Sequence, residues 1–364
     1  MENLVPIVIP AYEPDDRLLT LLDALTQRGQ GPILLIDDGS GNTYAPIFNK
    51  AAAFVQRSGG SVLIHETNRG KGRALKTAFA YVLEQYPDAV GVVTADSDGQ
   101  HSPACIAAVA DALREHTNSL VLGVRSFNGE DVPWKSRIGN NLTMKVLGYV
   151  SGLHISDTQT GLRGIPVVFM RELLSVPGDR FEFETEMLLE SVGRWPVVEV
   201  PIQTIYDSRE NHQTHFDPFR DSLRIYRIIA KKFVKYLFAS LSSSVVDIML
   251  FAVFCGLLRT RLATYVAVST VLARLISASY NYAINYKVVF KSKEHPGMAA
   301  ARYAALAVVQ MACSALLVSG GVALFRALPE VVVKIVVDVL LFFVSYYIQQ
   351  NFVFNSLHKT EKSV

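Results

Sequence analysis

Four apolar stretches, at residues 234–257, 263–287, 301–325 and 331–354, occupy the last third of this chain and limit what it can become. Each reaches the ~20 residues that a bilayer core demands of a spanning helix. Segments this long and this poor in charge have no wide polar face to turn to water, which excludes a single water-soluble globule. Composition agrees, because 50% hydrophobic residues over 364 positions is high for a soluble enzyme and the excess lies beyond residue 230. The expected organisation is a globular domain over 1–230, an all-α four-helix transmembrane domain over 231–356 and a short tail over 357–364.

The loops between the spans set the expected topology. Lys231, Lys232, Lys235, Lys287, Lys291, Lys293, Arg302, Lys359 and Lys362 flank one side, and Arg259, Arg261, Arg326 and Lys334 the other. The positive-inside rule places the richer side in the cytoplasm, and with it the first domain and both termini of a multi-pass protein of the cell membrane. The start, MENLVPIVIPAYEP, has no basic leader and breaks at Pro6 and Pro10, so it does not read as a signal peptide. YNYAINYKVVFK at 280–291 and YYIQQNFVFN at 346–355 close the second and fourth spans alike, while KYLFA at 235 and RYAALA at 302 open the first and third. An offset of about 66 residues predicts two duplicated helical hairpins. Asp247, Arg274 and Asp338 fall inside spans, where facing lipid is costly, so they are expected to point inward and pair. The net charge of +2 supplies no field for nucleic acid, and none is expected as a partner. Cys105, Cys255 and Cys313 lack metal-ligand spacing and read as packing residues.

Residues 1–230 alternate short apolar runs with helical patterns. LVPIVIPAY, PILLIDDGS, SVLIHE and AVGVVTADSDG read as strands, and PDDRLLTLLDALTQRG and GKGRALKTAFAYVLEQY as helices. That alternation implies an α/β domain with a mostly parallel sheet. Ligands of such sheets bind at the carboxyl ends of the strands, where Tyr12, Glu13, Asp37, Asp38, Asp96 and Asp98 fall. Asp96 and Asp98 can set oxygens around one hard divalent cation, which in turn bridges the phosphates of a nucleotide. The same letters also make an ordinary polar turn. In NRGKGRA, residues 68–74, Gly70, Lys71 and Gly72 precede a helix, where free amides and an ammonium attract an anion. The spacing is not that of a P-loop.

VIPAYEP, LLIDDGS, NRGKGRALKTA, ADSDGQH, GVRSF, DTQTGLRGI and RFEFETEMLLE occur in an order and spacing that resemble glycosyltransferase family 2. The likeness is to its polyprenyl-phosphate branch, similar to dolichyl-phosphate mannose synthase, and covers residues 4 to 227. The remainder resembles a GtrA-like four-helix membrane domain. The first motif departs from the family pattern, with Glu13 and Pro14 where the family has Asn and Glu after the Tyr.

The resemblance implies a GT-A, Rossmann-like domain that joins a UDP- or GDP-hexose to a polyprenyl phosphate, undecaprenyl or dolichyl. Pro10, Tyr12, Glu13, Ile36 and Asp38 then line the base and ribose, with Lys71 on the nucleotide sugar. Asp96, Asp98 and Gln100 surround Mg²⁺ or Mn²⁺, and Glu184 lies near the sugar. Arg125 and Arg137 are candidates for phosphates, which a planar guanidinium binds in bidentate fashion. Arg209, Asn211, His215 and Arg220 stand just before the first span, at the level of a lipid phosphate. A phosphate monoester is already a nucleophile at neutral pH, so inverting attack on the anomeric carbon needs no strong base.

Two other classes compete. A processive polysaccharide synthase would carry Gln-x-x-Arg-Trp, and ESVGRWP has Ser191 in place of the Gln. A transport module for lipid-linked sugars would need a polar path that four such helices supply poorly in a monomer, which leaves a homo-oligomer open.

Overall fold

The apolar runs of the first half become strands of one seven-stranded sheet. In the computed structural model, which describes residues 3–125, 134–203, 220–260, 264–292, 294–325 and 327–354, these are β1 (Ile7–Ala11), β2 (Ile33–Asp37), β3 (Ser61–Ile64), β4 (Gly91–Thr94), β5 (Leu120–Arg125), β6 (Arg163–Pro166) and β7 (Val197–Ile202). Their order is β3-β2-β1-β4-β6-β5-β7. Every residue of β1, β2 and β4 is buried. That is the mark of parallel strands covered on both faces, and explains why they read as unbroken apolar runs.

Two features of this topology build a crevice. The chain leaves β1 toward β2 on one side and returns to β4 on the other, so the carboxyl ends of β1 and β4 adjoin at a switch point. Strand β6 alone runs antiparallel to both neighbours. Its first residue, Arg163, therefore pairs with Thr94, the last residue of β4. The segment that leads into β6 thus arrives at the same end of the sheet as the aspartates. The expectation of a mostly parallel sheet holds, with this one exception.

Helices α1 (Asp16–Arg28), α2 (Ala45–Arg57), α3 (Lys71–Gln85), α4 (Pro103–Glu115), α5 (Trp134–Ser151), α6 (Val167–Leu173) and α7 (Glu182–Ser191) complete the domain. The chain divides into two compact units, one of Met1–Gly148 with Leu153–Ile228 and one of Tyr149–Gly152 with Ile229–Leu357.

The second unit is helical, with α8 (Arg220–Leu258) from Ile229 onward, α9 (Tyr265–Ile284), α10 (Pro296–Leu324) and α11 (Glu330–Ile348). The basic segment before the first span and the span itself are one helix of 39 residues, about 58 Å long at 1.5 Å per residue. Leu223–Leu258, Pro296–Leu324 and Val332–Val353 are long and apolar enough to cross a membrane. Among the described residues α9 does not reach that measure, because Ser269, Thr270, Arg274, Ser277, Ser279 and Asn281 dilute it.

The expected duplication has a structural counterpart. Both α9 and α11 end in a π-helical turn, Asn285–Val289 and Gln349–Val353. Asn285 Nδ2 donates to Gln349 Oε1 at 3.1 Å, and Phe290 stacks on Phe354 with ring centroids 5.0 Å apart. Tyr236 of α8 meets Tyr346 of α11 at 4.9 Å, and Tyr303 of α10 meets Tyr282 of α9 at 5.6 Å. Each contact maps onto its counterpart when the hairpins are exchanged. Asp247 pairs with Arg274 as expected, Oδ2 to Nη2 at 3.4 Å, but the Arg274 side chain is largely exposed rather than turned inward. Asp338 does not join them. Its partner at 2.6 Å is Lys334, counted above with the loop charges but placed here within α11, one helical turn away.

The Asn285–Gln349 bond lies at the joint of the two hairpins, with both residues at most 5% exposed. Asn285→Ala and Gln349→Ala should each lower the stability of the protein in micelles by about 1–3 kcal/mol, the cost of an unsatisfied buried amide. The double variant should lose less than the sum, and additive losses in thermal unfolding would mean that the pair is not coupled.

Candidate active site

Three side chains from three elements meet at the carboxyl end of β4. Lys71 Nζ lies 2.7 Å from Asp96 Oδ1 and 3.0 Å from Glu184 Oε2. Lys71 is the first residue of α3, Asp96 follows β4 closely, and Glu184 sits in the first turn of α7. His101 Nε2 approaches the other oxygen of Asp96 at 3.4 Å.

Glycines make this meeting sterically feasible. A Cβ on Gly72 would lie 2.6 Å from Phe183 Cβ, and one on Gly70 would lie 2.4 Å from the Asp179 carbonyl oxygen. The start of α3 is therefore pressed against the turn that leads into α7. Arg73 clamps it to Asp179 at 2.9 Å, and Lys76 donates to the Gly178 carbonyl at 2.7 Å with its ammonium over the Phe183 ring. From the β6 side, a Cβ on Gly161 would lie 2.2 Å from Asp96 Oδ2, so bare backbone packs on the carboxylate. Thr94 Oγ1 fixes that backbone by donating to the Gly161 carbonyl at 2.8 Å.

The free amides expected at the start of α3 are already occupied. Asp38 Oδ2 accepts the Gly70 N–H at 2.7 Å and Asp38 Oδ1 the Arg69 N–H at 3.0 Å, so the anion at this helix start is the chain's own carboxylate. His65 Nδ1 lies 2.7 Å from Asp38 Oδ1, and its Nε2 lies 3.0 Å from Thr77 Oγ1. Asp38, 3% exposed, is thereby turned into the loop. Asp37 accepts the Ser40 N–H at 2.9 Å and shapes the same turn. Pro10 and Ile36 face each other in register, and Ile36 is fully buried. Glu13 takes a left-handed φ of 49° and donates its N–H to Ser40 Oγ at 2.9 Å. This conformation costs Glu more than the Asn of the resembled family pattern. Its carboxylate, as hydrogen-bond partner, and burial raise the Tyr12 hydroxyl above its ordinary value.

Arg125 faces Asp157, with Nε 2.7 Å from Oδ2 and Nη2 3.0 Å from Oδ1, a bidentate pair on a carboxylate with no exposure. Arg137 lies in α5 and Arg220 opens α8, with side chains outside the described residues. Arg209, Asn211 and His215 also fall outside them. The Gln100 N–H closes the Asp98 turn by donating to Oδ1 at 3.0 Å. The acidic run divides its labour: Glu182 caps the Asp179 and Arg180 N–H groups at 3.3 Å, and Glu184 holds Lys71. Arg194 and Trp195, which a synthase motif would use, are tied to Glu172, and Trp195 stacks on Phe169.

Arg163 was not singled out by sequence reasoning. It is 1% exposed, donating to the Thr160 and Glu184 carbonyls at 2.9 and 2.7 Å. Burial pulls its guanidinium below the ordinary value, against the fields of Glu184, Asp157 and Asp96. Asp157, Arg163 and His101 all occur within the motif strings quoted above, but one sequence carries no sign of which residues pair.

The two aspartates differ in their electrostatics. Burial opposes ionisation of Asp96, but Lys71 and His101 outweigh it and hold the carboxyl well below the usual range. Asp98 is pushed up by burial and by the Asp96 charge beside it. Among the described residues no group of three His, Cys, Asp or Glu side chains could hold a metal alone. The donor set instead suits Mg²⁺ or Mn²⁺ bound through two carboxylates, with phosphate oxygens of a substrate completing the shell. Asp98, short of positive charge, fits such an ion.

Residues 7–173 match the family model for glycosyl transferase family 2, and residues 235–354 that for the GtrA/DPMS transmembrane domain. An uncharacterized protein of Methanocaldococcus jannaschii is 28% identical over 205 residues, covering 55% of this chain and 81% of that one. The UDP-N-acetylglucosamine–dolichyl-phosphate N-acetylglucosaminyltransferase of Methanococcus voltae is 27% identical over 220 residues, covering 56% and 87%. Glycosyltransferase AglJ of Haloferax volcanii is 26% identical over 234 residues, covering 62% and 72%.

The raised Asp98 carboxyl makes a stability prediction with a definite sign. A carboxyl whose folded pKa exceeds its unfolded value stabilises the fold below the unfolded value, and that contribution is lost as pH rises through the folded one. At neutral pH without ligand, Asp98→Asn should therefore melt higher than the parent. The gap should close as pH falls toward about 3.9, the ordinary aspartate value. A variant that melts lower at neutral pH would contradict the assignment.

Proposed function

The chain carries a glycosyl transferase family 2 domain at residues 7–173 and a GtrA/DPMS transmembrane domain at residues 235–354, and from that premise we propose that this glycosyltransferase moves a hexose from a UDP- or GDP-linked donor to a polyprenyl phosphate, undecaprenyl or dolichyl, at the cytoplasmic membrane face. The observation that carries this reading is the Asp96–Asp98 pair at the switch point, with Lys71 and Glu184 gathered against it. The acceptor class rests on the membrane domain and on the Methanococcus voltae relative, whose name makes UDP-N-acetylglucosamine the first donor to test.

The reaction is written as inversion. An oxygen of the lipid phosphate attacks the anomeric carbon from the face opposite the leaving group, a new C–O bond forms, and the bond to the nucleoside diphosphate breaks with its electron pair. Asp96 and Asp98, with Gln100 beside them, would hold Mg²⁺ or Mn²⁺, which supplies positive charge to the diphosphate as it leaves. Lys71, kept cationic because Asp96 and Glu184 outweigh its burial, adds a fixed charge beside that group. Glu184 orients Lys71 and lies on the sugar side in this reading. Arg125 is a positioning residue that acts through Asp157. Pro10, Tyr12, Glu13, Ile36 and Asp38 would form the wall for base and ribose, with Asp38 acting through the loop it braces. Arg137, Arg209, Asn211, His215 and Arg220 would bind the lipid phosphate at the headgroup level.

Screening nucleotide sugars against membranes supplied with polyprenyl phosphate tests the whole reading. Asp98→Asn should transfer sugar at least ~100-fold more slowly, about 2.7 kcal/mol of lost stabilisation. It should also lose the metal-dependent rise in melting temperature that nucleoside diphosphate gives the parent. Full activity in that variant, or in the parent with excess EDTA, would refute the metal assignment. Replacing Arg209, His215 and Arg220 together should raise KM for the polyprenyl phosphate and leave that for the donor nearly intact. Equal losses for both substrates would place these residues on the donor.

A further inference from the structure

Inside the helical unit lies a cavity of about 430 Å³ whose walls are polar. Asp247, Arg274, Asn281, Tyr303, Gln310 and Gln349 are among its lining residues, from all four helices. Along α8 the lining runs from Tyr236 to Ile248, about 18 Å at 1.5 Å per residue, so it extends well into the apolar span. Polar groups are costly at that depth unless they have partners, and ionisable ones there mark a functional site by default.

The Asp247–Arg274 pair is not built like a structural brace. Its N···O separation is 3.4 Å and the Arg274 side chain is 72% exposed within the unit. Arg125 and Asp157, which do brace the sheet domain, close two bonds of 2.7 and 3.0 Å on a fully buried carboxylate. Among the described residues Arg274 meets Asp247 alone, which leaves most of its five N–H donors for something else. Asp247 is nonetheless held in place. Ser277 Oγ donates to Asp247 Oδ1 at 2.7 Å, and Ser243 Oγ donates to the Ser277 carbonyl at 3.0 Å.

The chemistry of the walls selects the ligand. One carboxylate and one guanidinium cancel, so neither a free metal ion nor a phosphate finds net opposite charge. Both groups, with the Asn281 side-chain N–H donors and the Gln310 amide, suit a neutral molecule that offers many hydroxyls, whose neighbouring O–H groups fit forked acceptors and donors. The Gln349 amide is held by Asn285, Tyr236 and Ser345. Tyr236, Tyr303 and Phe342 add flat apolar faces against which the CH-bearing side of a sugar ring can pack. The volume lies within the ~300–1,000 Å³ of ordinary ligand pockets. We propose that the helical unit holds a carbohydrate-binding site within its membrane span, which takes the hexose of a lipid-linked glycoside. That the sugar arrives on a lipid rests on the function proposed above; that the cavity binds a sugar does not.

The test uses the full chain in nanodiscs and alkyl hexosides bearing a photoreactive diazirine, with glucose, mannose, galactose and N-acetylglucosamine as head groups. Cross-links should map to the peptides around Asp247, Asn281 and Tyr303. The matching octyl hexoside should compete at least ~10-fold better than octanol, a difference of about 1.4 kcal/mol. Arg274→Gln and, separately, the smaller change Ser277→Ala should each reduce the labelling several-fold while sugar transfer to a water-soluble short-chain prenyl phosphate keeps the parental rate. Competition by octanol equal to that by every hexoside would show that the cavity takes lipid tails, and would overturn the proposal. Labelling of the parent that both folded variants retain would do the same. Labelling in a protein that transfers no sugar would leave this site standing and defeat the function proposed above, whereas transfer without labelling would do the reverse.

Discussion

A lysine ammonium held between two carboxylates is the interaction around which the sheet domain is arranged. Lys71 sits within 3.0 Å of both Asp96 and Glu184, and its side chain is 17% exposed. A charge so placed is tolerated only with partners of good geometry, and removing it would leave two acids facing each other. The elements that supply the three residues are far apart in sequence, so each must be delivered independently. Close glycine contacts seat α3 against the start of α7, and β6 runs backwards to set Gly161 against Asp96. Asp38 then spends its carboxylate on the loop that begins α3.

This arrangement explains why charge in the cleft is unevenly distributed. Asp96 has partners on both oxygens, the Lys71 ammonium on one and the His101 ring on the other. Asp98 has an amide and a repulsive neighbour. Under the proposed function a divalent ion would gain most at Asp98, because Asp96 is already engaged by Lys71. Lys71 and Asp96 would then be the internal pair that a donor diphosphate with its cation has to loosen.

The sequence made the outline of this legible because periodicity reports burial directly. Apolar runs such as ILLI and GVV, bounded by turn residues, read as strands covered on both faces, and their carboxyl ends collected the polar residues of the candidate site. Pairing was not legible. Asp38, expected at the base and ribose, has its carboxylate on the loop that begins α3, and Arg125, expected at a phosphate, faces Asp157. Gly70 and Gly72 suggested an open anion cradle, but they serve close packing against Asp179 and Phe183. In each case the residue type was read correctly as polar or small, and its partner came from an element whose register no local pattern reveals. Asp157, Arg163 and His101 were passed over for the same reason.

The helical unit applies the same logic to a duplicated pattern. At the end marked by the π-helical turns the two hairpins keep matching residues, with Asn285 against Gln349 and Phe290 against Phe354, so their joint depends on equivalence. Farther along the helices the equivalence breaks. The first hairpin carries Asp247 and Arg274, while the second offers Ser314 and Asp338, with Lys334 drawn in from a helical turn away. A bundle that needed only to anchor the enzyme would gain nothing from ionisable groups at this depth, because apolar side chains pack there without a desolvation cost. The halves have stayed alike where they hold each other and differ at Asp247 and Arg274, so the repeat is symmetric in its packed joint and asymmetric in the ionisable groups that line the cavity.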